Sequence, residues 1–309
     1  MAIATFLSAD HTTDIYYNAW LPEGTPRAVI VLFHGMLEYS ARYEEFAQAA
    51  NAHGIAVYAH DHLGHGYSMT DPSKRGHFAD RNGNDYVIHD CLHMVDLAHE
   101  RHPDVPLFLM GHSMGSFLTR QLLHQFYLPK LSGVILMGTG HLPEAFVRFG
   151  KAVTTAIAKH KGPMHKSAFV NAVFLGMNNR RIVPRRSKND WLTRDNARAD
   201  AFGTNPRIID DFTVRAYADM LSGMLTNYDP TELANLDTSV PILLLSGAED
   251  PIGDYGHGLH RLLNQYQLLG YEDLALCLYP GARHELLNET NRDEVTQDIL
   301  DWIDERRLD

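Results

Sequence analysis

The stretch that most constrains this chain is Gly111-His112-Ser113-Met114-Gly115, a serine bracketed by glycines between two runs of different periodicity. Before it, Pro106 to Met110 is a short apolar run of the kind a buried strand shows. After it, Phe117, Leu118, Leu122 and Phe126 recur at helical spacing. The pattern predicts a serine at a sharp strand-to-helix turn, with glycines where backbone must pack on backbone. Such a turn lifts the Ser113 hydroxyl clear of its neighbours. It also puts the Met114 N–H at a helix N-terminus, where a negative oxygen can be held. A plain Gly/Ser turn is the rival reading, and the strand before and helix after favour a nucleophile.

The rest of the chain supplies a sheet for this turn. Residues 5–10 and 14–22 flank a polar turn and read as a hairpin. RAVIVLFHG (27–35), GIAVYAHD (54–61), LSGVILMG (131–138), VPILLLSG (240–247) and LALCLYPG (274–281) are near-continuous apolar runs, the pattern of strands buried on both faces. Helical patterns lie between them: one capped by Ser40, one over 84–102 that Pro103 stops, and others near 212–228, 255–269 and 288–306. The alternation implies an α/β fold with a mostly parallel sheet covered on both faces, its chemistry at the carboxyl ends of the strands. The alternation lapses after the sixth strand, where Phe146, Phe149, Val153 and Ile157 stripe one helix. The expected organisation is a core of 1–140 and 213–309, with 141–212 inserted between strands six and seven.

Composition narrows the function classes. A length of 309 residues and 45% hydrophobic content suit a globular enzyme, and a net charge of −11 argues against nucleic acid as a partner. Cys91 and Cys277 both sit in apolar patterns, so free thiols in a reducing compartment, hence a cytoplasmic setting, are expected. MAIATFLSAD has neither the basic flank nor the apolar core of a signal peptide, and no apolar run is long enough to span a membrane.

A serine hydroxyl needs a base, usually a histidine held by a carboxylate, and both should follow strands. Asp250 comes three residues after Gly247 at the end of one strand, and His284 three residues after Gly281 at the end of the next. The order Ser113, Asp250, His284 is the one the strand–turn–helix elbow requires. Glu249 and Asp254 are rival carboxylates, and Asp250 before Pro251 also suits a turn residue. The Met114 N–H is one oxyanion donor, and the Met36 N–H, in the loop after the strand ending at His34, is the expected second. His60, His62 and His65 are close together, but their spacing matches no zinc pattern, so a structural turn is expected there and no metal or cofactor.

Taken together, HGMLEYSARYEEFA, AHDHLGHGYS, GHSMGS, GAEDPIGDYG and GARHE resemble the monoacylglycerol lipase and lysophospholipase branch of the serine α/β-hydrolases, a group that also includes S33-type serine aminopeptidases. These motifs run from residue 34 to 285. The resemblance implies the α/β-hydrolase fold with 141–212 as a helical cap, Ser113 as nucleophile, Asp250 and His284 as its partners, and the Met36 and Met114 amides as oxyanion hole. It also puts Glu38 and Arg42, from H-G-x-x-E-x-x-x-R-Y, where relatives form the polar pocket for a glycerol head. An ion pair bracing the loop is an equal alternative for these two. Tyr39 stands where a histidine is common and Ser116 where a glycine is common, and neither is a triad residue.

The expected activity is therefore hydrolysis of fatty-acid esters, of monoacylglycerol or lysophospholipid type, through an acyl-enzyme and without a cofactor. The expected partner is a small amphiphilic ester, with transient contact to a membrane or lipid aggregate through the cap if the Phe146 stripe does not simply pack on the core. The rivals are an aminopeptidase or small-ester carboxylesterase of the same fold, and a ligand receptor that keeps the fold without the chemistry.

Overall fold

The computed structural model describes residues 2–129 and 131–306, so the extreme ends of the expected core segments, and Met1 of the N-terminal stretch, lie outside the described residues. Eight strands form one sheet: β1 (Ala2–Leu7), β2 (Asp14–Trp20), β3 (Ala28–Phe33), β4 (Ile55–His60), β5 (Leu107–His112), β6 (Leu131–Met137), β7 (Ile242–Gly247) and β8 (Leu274–Tyr279). Their spatial order is β1-β2-β4-β3-β5-β6-β7-β8. The β1–β2 and β2–β4 pairings are antiparallel and the remaining five are parallel. Every residue of β3, β4, β5 and β7 is buried, which is why their sequences are apolar without alternation. At the edge, β8 is half-exposed along most of its length.

The helices are α1 (Glu44–Ala52), α2 (Gly83–Arg101), α3 (Met114–Gln125), α4 (Glu144–Lys161), α5 (Ala168–Asn171), α6 (Asn196–Thr204), α7 (Val214–Thr226), α8 (Pro230–Leu233), α9 (His257–Leu268) and α10 (Arg292–Arg306). Phe46, Ala47 and Ala50 of α1 join Val295, Ile299, Trp302 and Ile303 of α10 in the apolar layer on one face of the sheet. Apolar residues of α2, α3 and α9 build the layer on the other. Helices α4 to α8 all lie between β6 and β7, so the segment joining these two strands is helical. Helix α4 lies along α7, and α7 rests in turn on α2 and α3. Among the described residues no helix is long and apolar enough to cross a membrane.

One local expectation fails for a physical reason. Ser40 does not cap α1. It sits in a short 3-10 turn, and its hydroxyl donates to Asp61 Oδ1 at 2.6 Å while accepting from Asn18 Nδ2 at 2.8 Å. The charge-assisted bond to the buried Asp61 carboxylate turns the hydroxyl away from the N–H donors at the start of α1. The Phe146 stripe, left open between core packing and an acyl or lipid face, divides: Ile157 packs against the core and Phe146 lines the cavity that Ser113 also lines. Val147 and Thr154 are the buried positions, whereas Phe146 is 42% and Phe149 68% exposed.

Trp302 of α10 is 6% exposed and meets the Phe108 ring of β5 edge-on, with centroids 6.0 Å apart. Replacing it with Ala removes the largest side chain joining α10 to the sheet. Urea unfolding should show a loss of about 3 kcal/mol or more. A loss under about 1 kcal/mol would mean α10 contributes little to the core.

Candidate active site

The elbow forms as its residue types dictate. β5 ends at His112 and α3 begins at Met114, leaving Ser113 alone between them at φ 51°, a left-handed conformation that non-glycine residues seldom hold. Crowding makes both glycines necessary. A Cβ on Gly115 would stand 2.0 Å from the Phe33 carbonyl oxygen, and one on Gly111 would stand 2.4 Å from the Gly115 carbonyl oxygen. Ser113 N donates to Met137 O at 3.0 Å, tying the elbow to β6.

The loops after β7 and β8 bring Asp250 and His284 together, both almost fully buried. His284 Nδ1 meets Asp250 Oδ2 at 2.9 Å. Asp250 is held in turn by the Ile252 N–H at 2.8 Å and the Ser246 hydroxyl at 3.3 Å. The rivals point elsewhere: Glu249 is exposed and Asp254 pairs with Arg261 at 3.0 Å. With Nδ1 facing a carboxylate, the imidazole turns Nε2 to its other side. Ser113 and His284 line one cavity, and the Ser113 hydroxyl makes no hydrogen bond among the described residues, to His284 or any other group. The Trp191 ring of the insertion lies over His284 with centroids 4.8 Å apart.

Met36 and Met114 line the same cavity, and neither amide donates to a protein group among the described residues. The cavity is about 730 Å³, within the range of small-molecule sites. Phe117, Leu142, Phe146, Phe174, Met220 and Met224 give it an apolar wall, while Glu38, Asn189, Asn205 and Glu285 give it polar positions.

Glu38 and Arg42 come together as an ion pair, within a larger cluster. Arg42 binds Glu38 and, through both terminal nitrogens, Glu285, at 2.8 and 2.6 Å. Its guanidinium also lies over the Phe202 ring, 4.7 Å from the centroid. Glu38 Oε1 accepts from the Gly35 N–H at 2.7 Å, the Tyr43 hydroxyl at 2.8 Å and His112 Nδ1 at 2.9 Å. Burial alone would raise the Glu38 carboxyl, but Arg42 and the His112 hydrogen bond outweigh it and hold it well below the usual range. Burial likewise works against the His112 imidazolium, and Glu38 overcomes it, so His112 titrates above its ordinary value. His112 Nε2 reaches the His284 carbonyl at 3.3 Å. The sequence reading missed His112, Tyr43, Trp191 and Glu285. The available signal was weak: two of the four directly adjoin Ser113 or His284.

The Glu38–His112 pair gives a pH prediction with a definite sign. A raised histidine contributes fully below its ordinary 6.5 and fades as pH rises through its higher folded value. A lowered glutamate contributes fully above its ordinary 4.5 and fades as pH falls through its lower folded value. The pair is therefore worth most between 4.5 and 6.5. Glu38→Gln should lower stability by about 3 kcal/mol in that window and by less in alkali, measured as unfolding midpoint against pH. A gap between Glu38→Gln and the parent that is constant through neutral and alkaline pH would contradict it.

The chain is similar to known proteins over most of its length. The chain is 30% identical over 290 residues to a monoacylglycerol lipase of Mycolicibacterium smegmatis, covering 94% of this chain and 92% of that protein. It is 29% identical to the monoglyceride lipase of Mus musculus over 94% of this chain and 87% of that one. Among solved structures, a thermostable carboxyl esterase from Bacillus coagulans in complex with glycerol superposes with a TM-score of 0.89 at 26% identity, covering 99% of this chain and 98% of that one. A soluble variant of monoglyceride lipase from Saccharomyces cerevisiae superposes at 0.78 with 20% identity, over 99% of this chain and 94% of that one, a likeness of fold. The family model for serine aminopeptidase, S33, matches residues 24–291, and on that span the chain belongs to this family of α/β-hydrolases.

Proposed function

We propose that the protein hydrolyses carboxylic esters of fatty acids, monoacylglycerol first among them, through an acyl-enzyme on Ser113. The observation that carries this reading is the 2.9 Å pairing of Asp250 with His284 in the cavity that Ser113 lines. His284 Nε2 takes the Ser113 proton as the hydroxyl attacks the ester carbonyl. The Met36 and Met114 amides hold the oxygen as it becomes negative. His284 then protonates the leaving alcohol, and water repeats the sequence to release the acid. Asp250 orients the imidazole and stabilises its charged form.

The substrate reading rests on how the cavity is lined. The apolar wall suits an acyl chain. At the polar end, the Glu38 and Glu285 carboxylates already take up the charge of Arg42, and Glu38 also accepts from His112, so Arg42 is not free to meet an anionic head. A neutral polyol head fits such a wall better than a phosphate, and lysophospholipid is the second reading. The same commitment of Glu38 and Glu285 to Arg42 weighs against an aminopeptidase, which needs a carboxylate free to meet an amine. We take 141–212 as the cap and a cytoplasmic setting as its working compartment. Exposed Phe149, Phe169 and Val183, at 68, 66 and 89%, suit transient contact with a lipid surface.

Two measurements test the proposal. Ser113→Ala and His284→Ala should each lower kcat on monoacylglycerol by roughly a thousand-fold or more. Retention of most esterase activity by folded Ser113→Ala, or faster turnover of an aminoacyl amide than of an ester, would overturn it. For the surface, Phe149→Glu with Phe169→Glu should leave hydrolysis of a dissolved short-chain ester unchanged. It should slow hydrolysis of long-chain monoacylglycerol in vesicles by roughly ten-fold. Equal rates on vesicles would remove the lipid-contact reading.

A further inference from the structure

The histidines whose spacing suggested only a turn acquire an unexpected neighbour in the fold. His60 closes β4, His62 follows in the turn, and Cys91 faces them from α2, all three buried. His60 Nε2 and His62 Nδ1 are 3.0 Å apart, and Cys91 Sγ is 3.9 Å from each. A point in the plane of these atoms lies about 2.1 Å from all three, a metal–imidazole distance and slightly short of a metal–thiolate one. We propose that His60, His62 and Cys91 form a three-coordinate site for a single soft monovalent cation, Cu(I).

The surroundings support a ligand set. His62 Nε2 lies 3.1 Å from the His34 carbonyl, which can only accept, so Nε2 carries the proton and the Nδ1 lone pair faces the cluster. His60 Nε2 donates to His62 Nδ1 at 3.0 Å, and because His60 Nδ1 is buried without a partner, that proton can move to Nδ1 when an ion takes Nε2. His65 stays outside the group: its Nδ1 meets the Leu63 carbonyl and its ring lies against Phe78 and Phe212.

Charge selects the ion. Two imidazoles and one thiolate suit copper, which takes trigonal His₂Cys sites. On binding, the Cys91 S–H bond breaks, an S–Cu bond forms, and the proton leaves to solvent. The thiolate then cancels the single charge of Cu(I). A divalent ion would keep a net positive charge beside the Phe6 and Phe33 rings, whose centroids are 6.1 and 5.8 Å from His60. The neighbouring carboxylates are already engaged: Asp61 accepts from Ser40 and Tyr67 N, and Asp90 from Ser8 and Ala9 N. A bound ion would tie β4 to α2 and, through the His34 carbonyl, to the loop carrying Met36.

The test uses the full chain, produced in copper-supplemented medium and also titrated anaerobically with Cu(I) against bicinchoninate. One Cu(I) per chain is expected, held at least roughly 100-fold more tightly than by Cys91→Ser or Cys91→Val, with a raised unfolding midpoint only in the parent. Cys277→Ser should keep the site, and copper X-ray absorption should show one sulfur and two nitrogen neighbours. Two Cys91 variants of similar volume guard against a packing defect in one. Equal affinity in parent and Cys91 variants would mean adventitious binding by surface histidines and would overturn the proposal. So would no retained copper, or tighter binding of Zn(II) than of Cu(I).

Discussion

The contact on which the site depends is a backbone one: α3 begins so close to the end of β3 that a methyl group on Gly115 would fall 2.0 Å from the Phe33 carbonyl oxygen. That approach brings the first turn of α3 beside the loop that leaves β3. The two amides proposed as oxyanion donors, Met114 and Met36, come from these two segments. The strained φ of 51° at Ser113 is the local consequence of turning a strand into a helix in so little space. A fixed backbone donor pair suits catalysis because it needs no reorganisation as charge develops.

A second layer of polar contacts holds the strand-end loops to one another. Glu38 grips the Gly35 amide of the β3 loop and His112 at the end of β5, while Arg42 links it to Glu285 in the loop after β8. His112 reaches the carbonyl of His284 itself. The buried charges are paired and hydrogen-bonded, which is the condition under which such a cluster is tolerated. It joins the loops carrying Met36, Ser113 and His284 without taking up the Asp250–His284 pair. The insertion contributes from above: Leu192 accepts from the Glu285 amide at 2.7 Å and Trp191 lies over the His284 ring.

Much of this was legible in the sequence, for a physical reason. Strands buried on both faces are written as uninterrupted apolar runs, so β3 to β7 stand out. A parallel sheet gathers its chemistry at the carboxyl ends, so Asp250 and His284 could be read from position alone. What escaped depends on which elements touch. Ser40 looks like a helix cap until Asp61 folds over to take its hydroxyl. The stripe on α4 does not say which of its residues meet what: Val147 and Thr154 are the buried positions, Phe146 lines the cavity and Phe149 faces outward. Cys91 lies about thirty residues from His60 and His62, so neither spacing nor periodicity joins them. Glu38 and Arg42 could be read as a pair, but not that Glu285 would close Arg42 from the other side.

The most direct measurement of the central claim is covalent labelling of the intact protein with a fluorophosphonate ester, followed by peptide mass spectrometry. The account predicts one adduct per chain, on Ser113, formed quickly in the parent, much more slowly in His284→Ala and not at all in Ser113→Ala. Labelling of another residue, or none in a folded sample, would contradict it.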